Sequence, residues 1–97
     1  MKRDDAIHLL QQHQQEIRAL GVDHLYLFGS TIRNEAKEGS DVDLFFDYSN
    51  PKFSLFDVMA VEEKVSDILQ VKADVASRGS LHPVLKKGIE QSAVQVF

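Results

Sequence analysis

The chain has 97 residues, with 11 Lys and Arg against 15 Asp and Glu, a net charge of −4 and no cysteine. That length fits one domain spanning residues 1–97, and the acidic balance argues against nucleic acid as a direct partner. Disulfides, thiolate metal sites and cysteine nucleophiles are excluded.

No apolar run approaches the roughly 20 residues needed to cross a bilayer, and the start, Met1-Lys2-Arg3-Asp4-Asp5, does not read as a signal peptide. The expectation is a cytoplasmic protein with no membrane partner. Ile7, Leu10, Ile17 and Leu20 recur at helical spacing, with Gln14 in the vacant slot. They predict one amphipathic helix from about Asp5 to Leu20, capped by Asp4 or Asp5 and closed by Gly21 in the left-handed conformation. Residues 22–28 end in Leu25-Tyr26-Leu27-Phe28, apolar on both faces, which predicts a strand covered on both sides.

Residues 31–40 are polar and suit a loop. Asp41 to Asp47 alternates: Val42, Leu44 and Phe46 share one face, and Asp41, Asp43, Phe45 and Asp47 the other. Asp47 reads as a strand-end residue. Ser54 caps a second long helix with Leu55, Val58, Val61, Val65 and Ile68 as its buried stripe. Val71 to Ala76 alternates as a short strand, with Asp74 on its non-core face. Pro83 opens a last helix to about Ser92, and Ala93 to Phe97 closes the chain as a strand. The fold class is α/β (α+β), a mixed sheet with helices packed on it. The terminal strand offers an edge through which two copies would form a homodimer.

Three features carry chemistry. Gly29 follows a buried strand and lets backbone approach a ligand closely, and its neighbour Ser30 offers a hydroxyl and an N–H to a phosphate. Asp41 and Asp43 stand two apart on a strand, so both carboxylates share one face about 7 Å apart along the chain. Such a pair repels unless a cation joins it, and Mg²⁺ takes oxygen ligands of this kind. Asp74, on the exposed face of another strand, supplies a third carboxylate for a two-metal site. Arg33 and Lys37 are available to counter phosphate charge. The four histidines, His8, His13, His24 and His82, lack metal-ligand spacing and read as structural or surface residues. Neither an EF-hand nor a P-loop pattern occurs.

Gly29-Ser30, followed after ten residues by Asp41-x-Asp43, resembles the signature of the DNA polymerase beta-like nucleotidyltransferases. The longer run, Gly-Ser-x-x-Arg through Ser-Asp-x-Asp-Leu, resembles the minimal nucleotidyltransferase (MNT) branch. So does the ending, with Asp74, Leu81-His82-Pro83-x-Leu85 and the terminal Ala93 to Phe97. The resemblance implies a nucleotidyltransferase fold, with a small sheet of about four strands, that uses ATP and Mg²⁺, with two ions. By position, Gly29, Ser30 and Arg33 match the nucleotide-binding residues, and Asp41, Asp43 and Asp74 the catalytic and metal-binding carboxylates. It also implies a HEPN toxin as partner, with the MNT member an antitoxin that adds AMP to a tyrosine of the toxin. Where the family usually has Arg-Gly this chain has Arg33-Asn34, and Asn tolerates left-handed backbone best among non-glycine residues.

Two functional expectations follow. One is an enzyme that transfers AMP from Mg-ATP to an acceptor hydroxyl. The other is a binding module that neutralises a partner by stoichiometric contact. A sugar transferase built on Asp-x-Asp is set aside, because the chain is too short for a sugar acceptor site and Gly29-Ser30 would have no role.

Overall fold

The computed structural model describes residues 2–29 and 42–97. Among the described residues four helices and four strands follow in the order α1 (Arg3–Gln12), α2 (Gln14–Ala19), β1 (His24–Phe28), β2 (Val42–Asp47), α3 (Leu55–Leu69), β3 (Ala73–Ser77), α4 (Pro83–Ser92) and β4 (Val94–Gln95). A 3₁₀ turn, Arg78–Ser80, joins β3 to the stretch before α4. The strands form one mixed sheet in the order β3-β2-β1-β4. β1 runs antiparallel to both β2 and β4, and β2 runs parallel to β3.

Side-chain alternation divides the sheet into two unlike faces. Leu25, Leu27, Val42, Leu44, Phe46, Ala73 and Val75 point to one face, and all are buried. They pack in one core with Ala6, Leu10 and Ile17 from the first two helices and Val61, Val65 and Leu69 from α3. The opposite face carries Tyr26, Phe28, Asp43, Phe45, Asp47 and Asp74. Tyr26 and Phe28 are half-buried, so β1 is fully covered on one side only.

The single N-terminal helix of the sequence reading is two helices. His13 sits between them at φ −106°, ψ 19°, outside helical geometry. The break falls in the six-residue gap between the buried Leu10 and Ile17, where Gln14 offers nothing to anchor the helix to the core. The first helix is capped by Lys2 without a side-chain bond, and Asp4 and Asp5 lie in its first turn, where negative charge favours the helix dipole. In α3 the Ser54 backbone N–H donates to the Asp57 carboxylate at 2.8 Å, closing the first turn. Leu55 is 73% exposed and does not belong to the buried stripe, whose last member is Leu69.

The end of the chain is tied down from both sides. Val96 N–H donates to the Leu25 carbonyl at 2.8 Å, and Leu25 N–H donates to the Phe97 carbonyl at 3.2 Å. Gln11 Nε2 donates to the Val96 carbonyl at 2.9 Å, and the Arg18 guanidinium lies 4.9 Å from the Phe97 ring centroid. Regular pairing is confined to Val94 and Gln95, while α1 and α2 hold Val96 and Phe97 through these contacts. The expected five-residue edge for a second copy is therefore reduced to a short one.

Gly21 occupies φ +107°, and a Cβ there would lie 2.8 Å from the Phe53 ring. Both the conformation and the space demand glycine. Gly21→Ala is expected to cost about 1–2 kcal/mol of stability, lowering the thermal midpoint by several degrees in a circular-dichroism melt. An unchanged midpoint would contradict this packing.

Candidate active site

The strand register brings Gly29, Asp43 and Asp74 together. Asp43 pairs with Phe28 across β1 and β2, and with Asp74 across β2 and β3. Paired residues point to the same face, and neighbouring strands run about 4.8 Å apart. Asp43 and Asp74 are therefore side by side on the open face of the sheet. Asp43 is half-buried; Asp74, on the edge strand, is exposed.

Gly29 follows directly after Phe28 with φ +81°. A Cβ at this position would lie 2.5 Å from Asp43 Oδ2 and 3.3 Å from its Cγ. The missing side chain leaves the space in which the Asp43 carboxylate sits. The sequence reading asked for glycine to admit a ligand; here the nearest group it admits is a carboxylate of the same chain.

Ser30, Arg33 and Asp41, the remaining residues of the expected site, lie outside the described residues, as does the 31–40 segment. Among the described residues no cluster of three metal-ligating side chains is present. What is described still fits a hard cation: two carboxylates face the same side at adjacent positions, and their oxygens are the donor type that Mg²⁺ prefers.

Farther along the same face the sheet is closed. Tyr26 stacks on Phe45 with centroids 4.8 Å apart, and Phe28 meets Phe45 at 5.8 Å. The Arg78 guanidinium covers both Tyr26 and Phe45, at 4.9 and 5.0 Å from their centroids. Its Nε and Nη2 donate to the two Asp47 oxygens at 2.7 and 3.0 Å, and Nη1 donates to Glu90 at 2.6 Å. These bonds, Asp47's first, hold the guanidinium pKa far above its usual value. Phe45 is only 1% exposed as a result. Sequence reasoning placed Asp47 at the strand end and missed Arg78. The signal was the spacing: Asp47 follows Asp43 by four residues, and Arg78 follows Asp74 by four.

Two concavities among the described residues lie away from the carboxylates. One, of about 500 Å³, is lined by Gln11 to Glu16 where the first two helices meet. The other, of about 480 Å³, runs between Tyr48, Phe53 and Met59 on one wall and Val75, Ala76 and Ser80 on the other. His82 caps α4, its Nδ1 accepting from Val84 N–H at 3.2 Å, and so has a structural role.

The family model of the nucleotidyltransferase domain matches residues 10–96. The chain belongs to this family. It is 36% identical over 90 residues to "Putative protein adenylyltransferase MJ0126" of Methanocaldococcus jannaschii, covering 91% of each chain. It is 34% identical over 89 residues to "Protein adenylyltransferase MntA" of Thermococcus cleftensis, covering 91% of this chain and 89% of that one. Among solved structures, "Structure of putative minimal nucleotidyltransferase" superposes with a TM-score of 0.82 at 24% identity, over 97% of this chain and 95% of that one. A tri-AMPylated Shewanella oneidensis HEPN toxin in complex with MNT antitoxin matches with a TM-score of 0.67 at 17% identity, over 94% of this chain and 71% of that one. The fold is thus the minimal nucleotidyltransferase fold, and the chain is a nucleotidyltransferase. No described helix is long and apolar enough to cross a membrane.

The Gly29–Asp43 contact makes a specific prediction for this nucleotidyltransferase. Gly29→Ala should destabilise the chain by about 1–3 kcal/mol through backbone strain and the clash with Asp43. In the Gly29→Ala/Asp43→Ala double variant the clash is absent, so urea denaturation should show a smaller loss than the sum of the single variants. Strict additivity would contradict the close approach.

Proposed function

We propose that this chain transfers AMP from Mg-ATP to a hydroxyl of a HEPN-type toxin and thereby acts as its antitoxin. The observation that carries this reading is the register pairing of Asp43 with Asp74 on an open sheet face, beside Gly29. Membership of the nucleotidyltransferase family and the names of the relatives support it. A tyrosine is the expected acceptor.

Asp43 and Asp74, together with Asp41, are the residues that would hold Mg²⁺, with two ions expected. When bound, the metal neutralises triphosphate charge and stabilises the departing pyrophosphate. Gly29, Ser30 and Arg33 would hold the β- and γ-phosphates, keeping the α-phosphorus in line with the acceptor oxygen. As that oxygen bonds to the α-phosphorus, the bond from phosphorus to pyrophosphate breaks. The hydroxyl proton passes to Asp74, whose exposed position on the edge strand leaves it open to an incoming protein. Most of the acceleration comes from positioning and charge neutralisation.

The second reading, neutralisation by contact alone, is favoured by the first turns of α3. Leu55, Phe56 and Met59 are 73%, 81% and 59% exposed there, a surface suited to another protein.

The two readings separate in one experiment. The purified chain, its partner toxin, Mg²⁺ and α-labelled ATP are mixed, with Asp43→Ala and Asp74→Ala variants in parallel. Label should appear on the toxin with the native chain and fall by at least about 100-fold with either variant. Variants that neutralise the toxin fully without labelling it would establish the contact mechanism instead.

A further inference from the structure

The parallel pairing of β2 with β3 places a like-charged pair in register, and an ion pair, Asp47 with Arg78 from the 3₁₀ turn, follows just beyond the last registered residues. Asp43 lies opposite Asp74, and the last registered pair is Phe46 with Ser77. The next step along the two chains is Asp47 and Arg78, four residues beyond each carboxylate and about 13 Å from it. Like charges directly opposite one another weaken a strand pair, and opposite charges strengthen it. Here the like-charged pair stands near the start of the ladder, and the Asp47–Arg78 fork lies just beyond its end with two bonds of 2.7 and 3.0 Å.

We infer that the Asp47–Arg78 fork is a register lock that holds Asp43 and Asp74 opposite one another before a cation arrives, so that Arg78 is a positioning residue for the transfer reaction. The inference rests on the proposed role of the two carboxylates. Arg78 suits the task better than lysine would. Its planar fork engages both Asp47 oxygens, and the same plane lies over the Tyr26 and Phe45 rings. Phe45 lies two residues from Asp43 and is the registered partner of Ala76, two residues from Asp74. The guanidinium therefore bears on both strands and on the ring between the lock and the site. Its third bond, to Glu90, leads away to α4, of whose residues none is buried. That arm is anchored on α4 rather than on β2 or β3 and serves as an internal control.

The test is Mn²⁺ binding to the full-length chain, followed by the electron paramagnetic resonance signal of free Mn²⁺, with thermal melts of the same samples. Asp47→Ala and Arg78→Ala should each raise the half-saturating Mn²⁺ concentration by about fivefold or more. Arg78→Lys, which keeps the charge but not the fork, should fall between these and the native chain. Glu90→Ala should bind Mn²⁺ as the native chain does, even where its melting point drops. Unchanged binding in folded Asp47→Ala and Arg78→Lys would overturn the lock and leave the pair a structural ion pair. Equal weakening by Glu90→Ala would overturn it too, by showing that any loosening of the network suffices. A native chain that binds no Mn²⁺ overturns the carboxylate reading itself, and the lock with it.

Discussion

Two carboxylates on neighbouring strands resist being held side by side, yet the parallel pairing of β2 with β3 does this with Asp43 and Asp74. Everything else about the open face answers to that constraint. The buried face supplies the holding force: Val42, Leu44 and Phe46 from one strand and Ala73 and Val75 from the other are inserted under α1 and α3. A slip of one residue would turn these side chains outward and the carboxylates inward. The hydrophobic core thus fixes which face carries the acids, and the Asp47–Arg78 fork adds a second tie between the ends of the two strands.

Local backbone chemistry adds to this. β1 ends beside Asp43, and Gly29 turns the chain away at a positive φ without a side chain that would contest the carboxylate's position. At the far end of the same face, Arg78 seals the Tyr26–Phe45 stack and joins the ends of β2 and β3. The face is therefore divided between a closed aromatic half and a polar half where the carboxylates stand. In the proposed function a nucleotide and a protein acceptor meet on the polar half. The closed half gives it a rigid floor, which suits a reaction that depends on positioning.

Much of this was legible in the sequence because it rests on period-two alternation. The core face of β2 and β3, the outward placing of Asp43 and Asp74, the cap at Ser54 and the left-handed Gly21 all follow from local pattern. The Gly-Ser and Asp-x-Asp spacing carried the family. Tertiary choices were less visible. The break at His13 arises because the apolar stripe has a gap, and the pattern does not say whether a helix bridges a gap or bends at it. Leu55 satisfies the helical spacing but stands at the first position of α3 and is exposed. The Arg78 network joins residues 31 positions apart, and only the strand register reveals that equal offsets from Asp43 and Asp74 bring them together.

Catalysis and contact differ in whether the facing carboxylates leave a covalent mark on another protein. That mark is read most directly in the intact mass of the partner toxin, purified after co-expression with the native chain and again with Asp43→Asn. Catalysis requires a mass increased by whole AMP units with the native chain and the unmodified mass with the variant. An unmodified toxin in a stable complex with the native chain would contradict it.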